Sequence, residues 1–480
     1  MAEEKKNKSN LWNFLDNLEG DKVVWMIVLL LMLISIVAIF SSTSQLALSQ
    51  NTSRMAIVGE QMLITLLGFG VIIACYSIRS IGFFRIISQF GYLVSMFLLL
   101  ILATHKQIGP FKPLMINSAW RIVSIGGFQV HVFEVVKIAM VMYLSWAVNA
   151  YRNDKFMIAN LLAKKHPFWA KPMVKKVVYI YVPIFTVCIG IMVGSLSSTI
   201  FIGGIMFITI LIGGISVKEL ILPGVIAVGL LLGCIGINSI CIKKDIKTPF
   251  PHLASAMARL SSDSTEKRLE TIRTAPQNTT EFQDALDKLK QPVSAKIAIH
   301  EGGLIGKGPG RSTQRYVVPI MFEDYMFSFI VEEYGLLGGL LVIILYISLL
   351  ARGSIIVRNC DNHFAKTAVA GLVILITGQA MMHIMINCDM GPLTGQTLPL
   401  ISHGNSSYLM FSLAFGIILS ISKMARRKIA REAAQAPPLV EHEQKDEVES
   451  TIGELEIMES ELPLHDNDIP DYGIDDHNNE

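Results

Sequence analysis

The chain has 480 residues, of which 52% are hydrophobic and only 17% are charged. The apolar residues come in runs of about twenty, the length that an α-helix needs to cross the hydrocarbon core of a membrane. Only helices and closed barrels satisfy their backbone polar groups in lipid, and continuous rather than alternating apolar runs select helices. The composition therefore excludes a soluble globular domain and predicts an all-α integral membrane protein.

The formal net charge of +2 hides an asymmetry along the chain. Basic residues cluster in short loops, whereas the last fifty or so residues are strongly acidic, and no segment is typical of a nucleic-acid-binding face. The six cysteines are scattered and form no CxxC pair, which excludes the usual zinc site or disulfide framework. They are Cys75, Cys188, Cys234, Cys241, Cys360 and Cys388.

We predict ten transmembrane helices from the apolar runs. Residues 1–22 are charged and mildly amphipathic, and the run after them is too long for the core of a cleaved signal peptide, so it is expected to remain as the first span. The predicted spans are 23–42, 56–77, 84–103, 131–149, 177–195, 198–214, 218–238, 325–350, 366–387 and 400–422.

The basic residues orient these spans. With the amino terminus in the cytoplasm, three basic groups fall on the cytoplasmic side: loop 150–176, the residues around Arg352 and Arg358, and the segment 423–431. Positive charge is enriched in cytoplasmic loops, so the even number of spans and this orientation support each other. Both termini of a multi-pass protein in the cytoplasmic (inner) membrane are therefore predicted to be cytoplasmic.

The same topology places loops 104–130, 239–324 and 388–399 outside, and the second of these is a large extracytoplasmic loop between helices 7 and 8. That loop, 239–324, is long for a connection without a function, and its polar middle predicts short helices broken at Pro276. The predicted organisation is therefore an amino-terminal segment (1–22), helices 1–7 (23–238), this loop, helices 8–10 (325–424) and an acidic, disordered cytoplasmic tail (425–480). The tail is either a solvated extension or a docking segment for cytoplasmic partners.

Asp324 lies where the long loop meets an apolar helix. An acid at that position is either a helix cap stabilised by the helix dipole or a general base at the outer membrane surface. Its neighbour Glu323 favours the second interpretation, because adjacent carboxylates raise the pKa of one of the pair.

The glycine-rich run before Asp324 carries Lys307 and Arg311. Glycines let a backbone approach a ligand and cations hold phosphate oxygens, so the run is either a phosphate-binding loop or a flexible interfacial turn. It lacks the Ser or Thr that a P-loop requires after its lysine.

Charged residues inside the predicted spans are the next candidates, because they are costly in lipid. Glu134 and Lys137 share a helix face and form either a structural ion pair or part of a substrate-lining surface. Glu332 or Glu333 is expected to face the interior, as a partner of Lys137 or Arg121. A polar cluster where the ninth span ends and the tenth begins, on the outer side, is expected to line an outer cavity. It comprises His383, Asn387, Ser402, His403, Asn405, Ser406 and Ser407.

Several motifs together resemble those of the SEDS family (shape, elongation, division and sporulation proteins). The run GGLIGKGPGRSTQ, then Pro319, Asp324 and EEYGLLGG, is similar to the family pattern of a GKG turn, a Pro-x4-Asp and an EE-x-G. The stretch GPLTGQTLPLISHGNSS and the pairs Trp120-Arg121 and Glu134-x-x-Lys137 also match. The chain departs from the family in the spacer before Asp324, which reads IMFE, and in the sixth span, which lacks the usual Pro-Asp.

The resemblance implies a peptidoglycan glycosyltransferase that polymerises lipid II outside the cytoplasmic membrane, together with a class B penicillin-binding protein and other divisome proteins. It implies that Asp324 takes the proton of the acceptor hydroxyl as undecaprenyl pyrophosphate leaves. A divalent cation (Mg2+ or Mn2+) is one candidate for stabilising that leaving group, and no organic cofactor is implied. The substrate-binding candidates are Arg121, Glu134, Lys137, Lys307, Arg311, Glu332, Ser402 and Ser406.

The first spans are more similar to the division branch of the family than to the elongation branch, which predicts a place at the division septum. Other interpretations remain open: a transporter that flips the lipid-linked precursor through Glu134, Lys137 and Glu332, a division scaffold without activity, or the elongation paralogue.

Overall fold

The computed structural model describes residues 19–43, 47, 51–116, 119–243, 265–276, 279–317, 321–391 and 395–435. Residues Met1–Lys428 form one compact unit. The second unit, Ile429–Glu480, is described only as far as Gln435, where the last helix ends beyond the predicted start of the tail at 425. The predicted disorder of residues 436–480 and the position of Pro319 therefore fall outside the described residues.

The described part of the chain is mainly helical, and nine of its helices are long and apolar enough to cross a membrane. This confirms a helical membrane bundle. The helices are α1 (Lys22–Ser42), α2 (Arg54–Ser77), α3 (Ile81–Thr104), α4 (Val132–Arg152), α5 (Met157–Ala163), α6 (Pro172–Met192), α7 (Leu196–Ile212), α8 (Val217–Lys243), α9 (Thr265–Thr274), α10 (Thr280–Gly302), α11 (Met321–Asp324), α12 (Met326–Arg358), α13 (His363–Asn387) and α14 (Asn405–Gln435).

The predicted sixth span corresponds to α7, which has 17 residues. At about 1.5 Å per residue this helix is roughly 26 Å long, slightly less than the ~30 Å of bilayer hydrocarbon. The count of ten spans therefore stays a prediction.

Side-chain caps explain where several spans begin. Asp21 accepts hydrogen bonds from the backbone N–H groups of Val23 and Val24, and Ser53 and Asn362 cap α2 and α13 in the same way. Each cap satisfies backbone donors that the first turn of a helix leaves unpaired.

α4 lies at the centre of the bundle, and neighbouring parts of the protein bury most of its residues. It packs against α3, α7 and α13. By contrast, the other described parts of the protein bury almost none of α8, as expected for a helix that faces lipid on most sides.

The predicted outer loop 104–130 contains a three-stranded antiparallel sheet, so an all-α description needs correction there. Its strands are β1 (Phe111–Ile116), β2 (Ala119–Ile125) and β3 (Phe128–His131), in that order. Gly126 and Gly127 both have positive φ and connect β2 to β3 as a two-residue hairpin turn, for which a Gly-Gly pair is typical.

The long loop contains the predicted helices. α9 and α10 lie on either side of Pro276, as the sequence indicates. α10 is longer than expected, with 23 residues, and it packs along α12.

The predicted eighth span, 325–350, is not one continuous helix. α12 is broken at Gly335, whose φ of 71° and ψ of −175° are not helical. A Cβ on Gly339 would lie 2.8 Å from Val331 and 3.2 Å from Phe327, although residues 12 apart in one helix are ~18 Å apart. The short arm (326–334) therefore folds back on the long arm (336–358). Hydropathy misses this reversal because both arms are apolar.

A glycine-rich turn (303–313) closes over the tip of this reversal. Glu332 is fully buried and accepts hydrogen bonds from Lys307 Nζ at 2.8 Å, Ser312 Oγ at 2.5 Å and the Thr313 N–H at 2.8 Å. The neighbouring carboxylate of Glu333 accepts from Ser41 Oγ at 2.6 Å. The tip thus locks the turn, the reversal and the end of α1 together.

Replacement of Gly335 by alanine is expected to destabilise this tip. The new Cβ would lie 2.2 Å from the carbonyl oxygen of Leu304, in a backbone conformation that L-residues rarely adopt. We expect the free energy of unfolding to fall by about 3 kcal/mol, measured by thermal unfolding in detergent. Gly229→Ala in α8 is the matched control, because its Cβ meets nothing within 4 Å; equal melting temperatures for the two variants would contradict the reversal.

Lys307→Met is expected to cost about 2 kcal/mol of stability, because it removes the cation that neutralises the buried Glu332. Thermal unfolding measures the effect. Lys112→Met, which changes an exposed lysine of β1, is the control. A melting temperature no lower than that of the control would show that Lys307 does not hold the tip.

Candidate functional site

Asp324 is the last residue of α11, immediately before the short arm of α12. Its backbone carbonyl accepts a hydrogen bond from Asn387 Nδ2 at 3.1 Å. Its side chain is partly buried and faces Gly395, where an added Cβ would lie 3.6 Å from Oδ2. The carboxylate therefore lies beside the backbone of Gly395, without a side chain between them.

The environment shifts the proton affinity of both acids. Burial raises the pKa of Asp324 to about 6, against the opposing charge of Arg121. Burial, and then the negative charge of Asp324, raises the pKa of Glu323 to about 8. The two carboxyls therefore titrate as a pair, and near neutral pH they carry about one negative charge between them, mainly on Asp324.

Opposite Asp324 runs an irregular stretch, the wall segment (395–404), which the sequence assigns partly to the tenth span. That span begins only at Asn405. The wall segment is bound to α11 by Ser402 Oγ, which donates to the Glu323 carbonyl at 2.7 Å, and by the His403 N–H, which donates to the Phe322 carbonyl at 3.0 Å. Proline at 399 and a positive φ at Leu400 account for its irregular course.

These bonds place Asp324 below the tip of the reversal, rather than at the surface junction that the sequence predicts. Ser41, in the last turn of α1, bonds Glu333 at the end of the short arm. Ser35 lies six residues earlier in α1, about 9 Å deeper, and its Oγ donates to the carbonyl of Ile401 in the wall segment. The acid is thus recessed in the bundle.

Lys137 anchors the wall segment from the centre of the bundle. Its buried Nζ donates to Glu134 Oε1, Gln379 Oε1 and Gln396 Oε1, each at 2.7 Å. Gln396 follows Gly395 directly, so the Lys137–Glu134 ion pair is hydrogen-bonded to the residue next to the one that faces Asp324. Glu134 Oε2 is buried and has no hydrogen-bond partner among the described residues, and a buried carboxylate oxygen of this kind is a natural acceptor for a ligand.

The three-stranded sheet supplies the remaining charge. Arg121 on β2 donates to the Gly194 carbonyl at 3.4 Å and acts electrostatically on Asp324. His131 at the end of β3 donates its N–H to Ser406 Oγ at 2.9 Å. The sheet therefore connects the start of α14 to the same recess.

The structure divides the predicted site residues into two groups. Asp324, Arg121, Glu134, Lys137, Ser402 and Ser406 gather around the recess through the contacts described above. Lys307 and Glu332 bind each other in the tip, and Arg311 is exposed on the glycine-rich turn. The expectation that Glu332 or Glu333 pairs with Lys137 is wrong: their ion-pair partners are Lys307 and Arg315, whereas Lys137 pairs with Glu134.

Sequence reasoning missed Gly395, Gln396 and Gln379 as members of the site. Gly395 and Gln396 lie inside the TGQTLP stretch, which indicated importance but no role. A glutamine within an apolar span, as Gln379 is, was a usable signal, because a buried amide requires partners. His383 and Asn387 are buried beside the recess, and the expectation that their polar cluster lines an outer cavity stays a prediction.

Within the described ranges, no group of three or more His, Cys, Asp or Glu side chains could hold a metal ion. Glu323 and Asp324 are nonetheless adjacent oxygen donors. This suits Mg2+, which commonly uses one or two protein carboxylates together with water and phosphate oxygens. The divalent cation stays a prediction.

Comparison with protein families and known sequences identifies relatives. Residues 21–427 match the family model FtsW/RodA/SpoVE, described as cell cycle protein. The probable peptidoglycan glycosyltransferase FtsW of Enterococcus hirae is 27% identical over 431 residues, covering 87% of this chain and 98% of that protein. The FtsW of Caulobacter vibrioides is 37% identical over 131 residues, which are 27% of this chain and 34% of that protein.

Solved structures show the same fold. A chain of a peptidoglycan synthase complex has a TM-score of 0.56 at 16% identity, covering 85% of this chain and 98% of that one. The rod shape determining protein RodA of Thermus thermophilus has a TM-score of 0.50 at 17% identity, with the same coverage. The family match extends from the cap of α1 into the last turns of α14, and this multi-pass membrane protein therefore belongs to the FtsW/RodA/SpoVE family of SEDS proteins.

Proposed function

We propose that this protein is a peptidoglycan glycosyltransferase that polymerises lipid II at the outer face of the cytoplasmic membrane, with Asp324 as the general base. The observation that carries the proposal is the recessed Asp324 carboxylate, whose pKa is raised to about 6 and which faces the backbone of Gly395. A base with a pKa slightly below neutral pH is ionised at work and still accepts a proton readily. The names of the relatives, which include peptidoglycan glycosyltransferases, support the same activity.

In the proposed reaction, the 4-hydroxyl of the acceptor sugar attacks the anomeric carbon of the donor, with inversion. Asp324 takes the hydroxyl proton as the new C–O bond forms, and the bond from the anomeric carbon to the pyrophosphate oxygen breaks. The polyprenyl chain stays in the bilayer while the sugars react in the recess. Neutral Glu323 would donate its acid proton in a hydrogen bond, because its pKa is raised to about 8.

The departing pyrophosphate requires positive charge. Arg121 is the candidate on this chain, because it lies close enough to act on Asp324 and is half-buried. Lys137 is already held by one carboxylate and two amides, and Lys307 is held in the tip. A divalent cation would be held on this chain by the ionised carboxylates of Glu323 and Asp324, in place of the hydrogen bond from neutral Glu323, and it would supply positive charge near the leaving group.

A transporter is the alternative from another class, and the contacts weigh against it. A path for a charged headgroup would link Glu134 and Lys137 to Glu332. Glu332 is instead occupied by Lys307, Ser312 and Thr313 in the tip. The buried charges are thus used in two separate structural clusters rather than along one route.

We further propose a role in cell division, at the septum, together with a class B penicillin-binding protein. The near full-length similarity to the FtsW of Enterococcus hirae supports the division role. The MrdB of Escherichia coli, also a peptidoglycan glycosyltransferase, is 34% identical over 131 residues, which are 27% of this chain and 35% of that protein. The elongation paralogue remains the runner-up. The likeness to a chain of a synthase complex for polymerisation and crosslinking supports the partner. An inactive division scaffold would retain the fold but make no glycan.

Purified protein, with its penicillin-binding partner and labelled lipid II, is expected to produce glycan ladders, and Asp324→Asn is expected to reduce the rate by 100-fold or more. The amide has nearly the same shape but accepts no proton, and general-base catalysis contributes about 10²–10⁴-fold. Asp361→Asn, which changes an exposed acid paired with Lys428, is the matched control. Ladders of equal yield from both variants would refute the assignment of the base.

The polymerisation rate is expected to rise with pH through an apparent pKa near 6, because only ionised Asp324 accepts the proton. Arg121→Gln is expected to move this rise, the acid limb of the pH–rate profile, to higher pH, since the charge of Arg121 favours the ionised form of Asp324. Glu323→Gln is expected to leave the limb in place, because Glu323 is protonated in that range. Initial rates between pH 5 and pH 9 (roughly one unit beyond the two pKa values) measure this; a limb unmoved by Arg121→Gln would contradict the electrostatic account.

A further inference from the structure

We propose that Asn387 and His383, on one face of α13, are positioning residues that hold the two sides of the Asp324 recess in register. Asn387 fixes the backbone that carries Asp324, and His383 links the same arm to the wall segment that faces it. This inference rests on the proposed function of Asp324 as the base.

Asn387 bridges the break between α11 and α12 at Tyr325. Its Oδ1 accepts from the Ser328 N–H at 2.9 Å and from Ser328 Oγ at 2.8 Å, and its Nδ2 donates to the Asp324 carbonyl at 3.1 Å. Nδ2 also donates to the carbonyl of His383 at 2.8 Å. One buried amide therefore caps the short arm and holds the residue that precedes it, which limits how Asp324 can turn.

His383 has two backbone partners that determine its tautomer. The Phe327 N–H donates to Nε2 at 3.4 Å, so Nε2 is the acceptor, and Nδ1 must therefore carry the proton that it shares with the Gln396 carbonyl at 2.7 Å. The ring is fully buried. It thus bridges the short arm, three residues after Asp324, to the residue that follows Gly395.

The two contacts complement each other because they arise from adjacent turns of the same helix. Residues 383 and 387 are four apart, so their side chains lie on one face of α13. Neither side chain is within hydrogen-bond distance of the Asp324 carboxylate in the contacts described here, so neither acts as an acid or base in the proposed reaction. Their contribution is geometric: a base that is displaced by about 1 Å from its acceptor hydroxyl can lose 10²-fold in rate.

The test uses Asn387→Ala in the purified full-length protein with its penicillin-binding partner and labelled lipid II. Thr377→Val is the control: Thr377 is buried in the same helix, and its hydroxyl bonds only carbonyls of its own helix. We expect kcat to fall at least tenfold relative to this control, with the KM for lipid II within twofold. A loss of positioning lowers the rate of the chemical step and leaves substrate binding unchanged.

Asn387→Asp is the second variant, in case the alanine variant melts early. Aspartate keeps an acceptor for Ser328 and loses the donor to the Asp324 carbonyl. We expect kcat to fall while the KM for lipid II stays within twofold, since the backbone of Asp324 loses the bond that holds it.

The inference is overturned if Asn387→Ala polymerises at the rate of Thr377→Val, or if Asn387→Asp has the kcat of the wild type. Asp324→Asn is measured alongside. If that variant stays active, the proposed base is wrong; if it is inactive while both Asn387 variants behave as the controls do, only the positioning role fails.

Discussion

The site depends on a carboxylate that is held between two irregular backbone segments inside a helical bundle. The short arm of α12 brings Asp324 back below the tip at Gly335, and the wall segment presents Gly395 to it. Irregular backbone is tolerated at this depth only when its polar groups find partners within the protein. Here they bond to Asn387, His383, Ser402 and each other.

The buried charges of the bundle also need partners within the protein. Lys137 is shared among one carboxylate and two glutamines, and Glu332 is surrounded by donors of the glycine-rich turn. Each cluster fixes a segment: the first anchors the wall segment and the second locks the tip. Asp324 differs, because its oxygens face glycine backbone and the more distant charge of Arg121. A carboxylate left with few partners is the one that can exchange a proton.

The sequence predicted the helical bundle and the ends of most spans, and it singled out the acid proposed as the base, because long apolar runs and costly charges are local signals. It could not predict the reversal at Gly335, since that depends on contacts between residues 8 to 12 apart within one apolar run. Nor could it predict that Lys307 and Lys137 have different roles, because both lie in family motifs. Only their partners in the structure show that Lys307 holds the tip and that Lys137 lies beside the recess. The Gly-Gly pair between Ile125 and Phe128 is a typical hairpin signal, from which the turn between β2 and β3 could have been predicted.

The proposed reaction requires that Asp324 is a recessed carboxyl with a raised pKa. The most direct measurement is an infrared difference titration of the purified protein against Asp324→Asn, which isolates the band of this one carboxyl. The account predicts a band that titrates near pH 6 in the wild type and is absent from the variant. A band that titrates near pH 4, as an ordinary solvated aspartate does, would contradict it.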